Sequence, residues 1–206
     1  ISADGPRNLY NAVVTAAAPE SKGKGVLVVM NDKILGAESV TKMHTTGVDT
    51  FQAPNAGALG YVFNSKVFYN QEPLKKHTKE SVFNVNKLDK LPKVGIVYSH
   101  AGVNADMVEP MLANGYQGII HAGVGNGNIH KDIFPALVKA RENGIQVVRS
   151  SRVPTGPSTL DNEVDDAAYQ FVASQQLNPQ KARILLMLAL TKTNDWQEIQ
   201  EYFNEY

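Results

Sequence analysis

Three stretches of this 206-residue chain combine residue types that can do chemistry. In the first, Val40-Thr41-Lys42-Met43-His44-Thr45-Thr46, a lysine stands among hydroxyls. A partly desolvated amine can lose or accept a proton, or hold a nearby hydroxyl in a reactive state, although most lysines in such segments are simply solvated. The second, Gly123-Val124-Gly125-Asn126-Gly127-Asn128, follows an apolar strand pattern ending near His121 and precedes a helical pattern. Ligands of open α/β sheets collect at such strand ends, where loops aim backbone N–H groups and short polar side chains. The third, Val153-Pro154-Thr155-Gly156-Pro157-Ser158, leads into the acidic cluster Glu163, Asp165 and Asp166. That pattern also describes a surface loop with favourable charge in the first turn of a helix, and Arg149 and Arg152 fit equally as structural partners of the acids.

Several chemistries are poorly supported. The glycine spacing is G-x-G-x-G rather than G-x-G-x-x-G, and Arg149 stands where a dinucleotide site would carry an acid, which leaves a small-ligand loop or a tight turn. The five histidines form no i, i+4 pair and no H-E-x-x-H motif, so they support no metal site; there is also no G-x-S-x-G elbow. Without cysteine the chain has no thiolate nucleophile, and the redox compartment stays open. Twenty basic and twenty acidic residues cancel without forming a block of one sign, so no nucleic-acid partner is expected. The apolar runs 25–30 and 184–190 fall far short of the roughly 20 residues that span a bilayer, so no membrane span is expected.

The elements that must position these residues follow from periodicity. Leu9, Tyr10, Val13, Val14 and Ala17 predict a helix over 6–17, opened by Asp4 or Gly5 with Pro6 and stopped by Pro19. The run 25–30 predicts a strand buried on both faces, with Asn31-Asp32 as turn residues, and 59–69 alternates around a hairpin turn at Asn64-Ser65. Residues 71–92, polar and bounded by prolines, are the best linker. Beyond Pro92 strands at 93–98, 118–121 and 146–149 alternate with helices near 105–114 and 132–143, each helix closed by a glycine, Gly115 or Gly144. Such alternation implies a parallel sheet. Asn178-Pro179 opens a helix through Leu190 whose apolar face is expected at Ile184, Leu185, Leu188 and Ala189, widened by Leu186, Met187 and Leu190 so that the helix is buried on several sides, and a last segment runs over 195–206. The expected organisation is α/β: residues 1–70 the remainder of a larger N-terminal α/β domain, 71–92 a linker, and 93–206 a smaller C-terminal α/β domain. The sequence opens on Ile1-Ser2-Ala3-Asp4-Gly5-Pro6, with neither an initiator Met nor a signal-peptide pattern, so an upstream segment is expected.

From end to end the chain resembles the bacterial type II L-asparaginase and glutaminase-asparaginase family. The resemblance is carried by Ser2-Ala3-Asp4-Gly5-Pro6 with Asn8-Leu9-Tyr10-Asn11-Ala12-Val13, Gly25-Val26-Leu27-Val28-Val29-Met30-Asn31-Asp32, Val40-Thr41-Lys42, and Leu91-Pro92-Lys93-Val94-Gly95-Ile96-Val97-Tyr98. It continues through Ala122 to Asn128, Val148 to Gly156, Glu163-Val164-Asp165-Asp166 and Leu177 to Arg183. The resemblance implies an amidohydrolase that converts L-asparagine, L-glutamine or both to the acid and ammonia, with no cofactor. It further implies a periplasmic homotetramer in which each active site is shared between subunits. A Thr hydroxyl of the family attacks the amide carbon, and a second Thr, paired with a Lys and an Asp, assists proton transfer. Lys42 matches that catalytic Lys; Asn128 and Glu163 match the residues that reach the substrate's α-amino end from the partner subunit. The family's Thr-bearing segments have no counterpart here, and Thr15, Thr41, Thr45, Thr46 and Thr50 stand in other contexts. They are expected upstream; the alternative is a catalytically inactive amino-acid-binding module.

Overall fold

A computed structural model describes residues 3–206. Two compact units divide at Ser81 and Val82. The first contains helix α1 (Gly5–Ala17) and strands β1 (Leu27–Met30), β2 (Lys33–Gly36), β3 (Thr41–Lys42), β4 (Phe51–Gln52), β5 (Gly60–Phe63) and β6 (Lys66–Tyr69). Four of these strands form an antiparallel sheet in the order β1-β2-β5-β6, while β3 and β4 pair as a separate short ladder.

Both expected turns are present, and both place two residues at positive φ: Asn31 and Asp32 at 50° and 61°, Asn64 and Ser65 at 47° and 59°. Such two-residue turns match the right-handed twist of the strands they join. Helix α1 is docked on their tips by polar contacts. Asp32 accepts from Asn11 Nδ2 at 2.7 Å and from Arg7 Nε at 2.9 Å, Asn8 Oδ1 accepts from Asn31 N at 2.9 Å, and Tyr10 donates to Ser65 Oγ at 2.7 Å. The helix therefore buries Asn11 and Thr15, whereas Leu9 and Val13 of the apolar stripe are 68% and 60% exposed. Asp4 occupies the N-cap position without capping the backbone; its carboxylate accepts from Asn8 Nδ2 instead.

Strand β1 differs from expectation. It is half-buried, Val26 before it is 66% exposed, and its described partner is the antiparallel β2. The immediate reversal at Asn31-Asp32 leaves no length for a crossover helix, so the sheet formed by the described residues is antiparallel.

The second unit holds β7 (Val94–Tyr98), α2 (Glu109–Ala113), β8 (Gly118–Gly123), α3 (Phe134–Glu142), β9 (Gln146–Ser151), α4 (Asp166–Tyr169), β10 (Val172–Ala173), α5 (Pro179–Ala189) and α6 (Trp196–Glu205). Its sheet is parallel in the order β7-β8-β9-β10. Every residue of β8 and β9 is buried, as expected where helices cover both faces. Ile119, Val147 and Phe171 pack with Ile133 and Leu137 on one face; Ile120, Val148 and Val172 pack with Leu186, Ile199 and Phe203 on the other. The helix expected near 105–114 is a 3₁₀ turn (Ala105–Met107) followed by α2, whose first turn contains Pro110, a residue tolerated there but not in a helix interior.

Asn178 caps α5 by accepting from Lys181 N at 3.0 Å, with Pro179 in the first turn. The buried face of α5 is Ala182, Leu185, Leu186 and Ala189, and Ile184, expected inside, is 50% exposed. The sheet sets this phase: a Cβ on Gly118 would stand 2.6 Å from Leu186 Cδ2, so glycine there seats Leu186 against the strand.

Candidate functional site

The carboxyl ends of β7, β8 and β9 carry the loops that hold both motifs of the second unit. A cleft of about 430 Å³ opens there, lined by Ser99, His100, Val124, Asn128, His130, Lys131 and Arg152 among others. Arg152 fixes one wall by donating from Nη1 to Ser99 O at 2.9 Å and from its backbone N to Gly123 O at 2.9 Å.

Beneath the loops lies an ion pair with no exposed surface. Arg149 Nε donates to Asp166 Oδ1 at 2.6 Å, and Nη2 donates to Oδ2. Two charges withdrawn from water need such geometry, plus further hydrogen bonds, to offset their desolvation. Arg149 supplies them: Nη1 donates to Asn126 O at 2.9 Å and Nη2 to Thr159 O at 2.8 Å. Asp166 Oδ2 also accepts from Asp161 N at 2.9 Å. Asn126 completes the tie by accepting from Thr159 N at 2.7 Å and donating to Thr159 Oγ1 at 2.9 Å. One buried pair thus knits the glycine-rich loop to the loop that carries Glu163. Of the two readings of the arginines, Arg149 pairs with an acid and Arg152 with a carbonyl.

Asn128 ends the glycine-rich loop, where its backbone N donates to Val124 O at 2.9 Å. Gly127 (φ 73°) and Gly123 permit that closure. A Cβ on Gly123 would lie 2.4 Å from Asn128 O, and one on Gly127 would lie 3.2 Å from Arg149 Nη1. Helix α3 begins only six residues later at Phe134, so no helix N-terminus directly follows the loop, which disfavours the nucleotide reading. Asn128 is exposed on the cleft. Glu163 is also exposed, between Asp161 (φ 53°) and the helix start that Asp165 caps by accepting from Ala168 N. Glu163 lies outside the cleft lining, on the loop tied to that of Asn128. Asn126, Thr159 and Asp166 escaped the sequence reading as a connected set; the asparagine inside the glycine run was the available signal.

In the first unit Lys42 lies on β3 opposite Phe51, exposed, with Nζ 5.4 Å from the centre of the Phe51 ring. The connecting loop is anchored through Asp49, which accepts from Lys33 Nζ at 2.9 Å and from Asn31 Nδ2 at 3.0 Å. The Lys33 ammonium first, then the Asn31 and Gln52 side chains, hold the Asp49 carboxyl below its ordinary range. The Thr-rich stretch is therefore a braced hairpin.

His121 on β8 is fully buried beside Arg149, its register partner on β9, and among the described residues neither ring nitrogen has a hydrogen-bond partner. Burial, and secondarily the Arg149 charge, push its pKa down to about 4. It is a neutral ring within the fold rather than a proton carrier near neutral pH.

Comparison with known proteins accounts for both units. Residues 1–75 match the family model described as Asparaginase, N-terminal, and residues 93–203 match the Glutaminase/Asparaginase C-terminal domain. The whole chain is 57% identical to L-asparaginase 2 of Escherichia coli (strain K12), of which it covers 59%. It is likewise 57% identical to a probable periplasmic L-asparaginase of Haemophilus influenzae, covering 59% of it. The identity is 44% with the glutaminase-asparaginase of Pseudomonas fluorescens biotype A, where the full chain covers 57% of the relative. The chain thus spans somewhat under two thirds of the length of these relatives. It belongs to the type II L-asparaginase and glutaminase-asparaginase family.

Proposed function

We propose that the protein is an amidohydrolase that cleaves the side-chain amide of L-asparagine, L-glutamine or both, releasing ammonia and the corresponding acid. The observation that carries this reading is the 57% identity with an L-asparaginase along the entire chain, through both units. The nucleophile is a Thr hydroxyl on the polypeptide preceding this chain. Lys42, braced on its hairpin, exchanges a proton with a second Thr while the amide carbon is attacked, and water then releases the acid from the acyl-enzyme. Asn128 and Glu163 receive the substrate's α-ammonium group. Their placement on two loops tied by the Arg149–Asp166 pair suits this role, because a charged end is held best by polar groups that are already fixed. The working form is a periplasmic homotetramer with sites completed across subunits; one relative is named periplasmic.

Ammonia release from each amide by the full-length protein tests the reading. Replacing Asn128 or Glu163 with Ala should raise KM and lower kcat/KM by about 1–3 kcal/mol, the cost of leaving a polar or charged group unpaired. Unchanged kinetics in both variants would remove these residues from the substrate site.

A further inference from the structure

Residues 43–50, which follow Lys42, close around the ring of His44. Its Nδ1 accepts two backbone N–H groups at once, from Thr46 at 3.1 Å and from Gly47 at 2.8 Å. Accepting them requires a bare Nδ1, so the proton of the neutral ring sits on Nε2. The backbone carbonyl of His44 accepts the hydroxyl of the buried Thr50, and Met43 N donates to Thr50 O at 2.7 Å. Gly47 leaves room for the ring, since a Cβ there would stand 3.2 Å from His44 Nδ1. These bonds begin immediately beyond the Lys42–Phe51 pair, and the ladder itself is only two residues long on each strand. So short a ladder does not hold register alone, and its geometry depends on what closes the loop.

We propose that His44 is a positioning residue for Lys42: its ring caps the amides of Thr46 and Gly47, closes the hairpin, and thereby sets the strand from which the Lys42 amine works. The inference rests on the catalytic role proposed for Lys42. Removing the acceptor leaves two loop amides to water, frees residues 45–49, and lets Lys42 leave its place over Phe51.

The test compares His44→Leu, which keeps apolar bulk without an acceptor, with His44→Asn, whose side-chain oxygen can accept from the amides two and three residues on. Both are measured in the full-length protein beside Lys42→Met. His44→Leu should lower kcat by on the order of 10- to 100-fold, the scale of a displacement of about 1 Å, with KM little changed. Amide exchange at Thr46 and Gly47 should accelerate. His44→Asn should restore both slow exchange and most of kcat. The inference fails if His44→Leu turns over normally while Lys42→Met is inactive, or if His44→Asn recovers slow exchange without recovering kcat. Normal turnover by Lys42→Met overturns it together with the role of Lys42. Should His44→Leu fail to fold, the Asn variant still decides: slow exchange at both amides with near-normal kcat supports the inference, and a low kcat refutes it.

Discussion

His121 and Arg149 are register neighbours inside the parallel sheet, yet only one of them carries charge in the fold. The guanidinium is matched by Asp166, whereas neither nitrogen of the buried imidazole is bonded among the described residues. Its folded pKa, about 4, lies below the ordinary 6.5, so between these values the unfolded chain binds more protons than the native one. Stability from this residue is therefore complete above about pH 6.5, lost progressively as pH falls, and lost in full once pH reaches about 4. The gap between 6.5 and about 4 corresponds to about 3 kcal/mol. Denaturant unfolding at pH 7 and pH 4 should show that component in the parent protein and its loss in His121→Leu. Equal pH dependence in the two proteins would mean that the ring escapes burial or finds a partner.

At the scale of elements, the glycine-rich loop is shaped from below and from within. Arg149 reaches its carbonyls, and Gly123 stands where a side chain would press on the backbone of Asn128. Gly123→Ala must move that backbone, so KM should rise by about tenfold or more with the parallel sheet intact by circular dichroism. An unaltered KM would show that the loop position of Asn128 does not matter to substrate.

Much of this was legible in sequence for identifiable reasons. The Asn-Asp and Asn-Ser turns, the Asn178 cap and the apolar runs of β7, β8 and β9 are local signals, fixed by residues adjacent in the chain. What was not legible was pairwise and distant. Nothing near Arg149 says that it will take Asp166 rather than Glu163 or Asp165, nor that Asn126 will meet Thr159. The outward phase of Ile184 depends on a glycine some 66 residues away, at Gly118. The antiparallel pairing of β1 with β2 is a choice that hydrophobicity alone does not specify. The roles expected of Lys42, Asn128 and Glu163 come from the family resemblance, since residue types marked only the stretches that hold them and a lone lysine among threonines has no spacing that singles it out.

For the whole molecule, the proposed function requires both units: it assigns proton transfer to Lys42 of the first and substrate recognition to Glu163 of the second, and it predicts that these two residues of one site come from different subunits. Neither unit is sufficient under the proposed function, which assigns the attack to a Thr outside this chain; the chain covers 59% of the Escherichia coli relative. The most direct measurement mixes two full-length variants, Lys42→Met and Glu163→Ala, below the KM for L-asparagine and with subunit exchange verified by native mass spectrometry. Alone, Lys42→Met should lose about 10²–10⁴-fold in kcat at an unchanged melting temperature, the usual weight of a general acid–base group. A mixed pair should contain one site with both residues intact, so random exchange should recover about a quarter of parental activity. Verified exchange with no recovery, or normal turnover by Lys42→Met alone, would contradict the account.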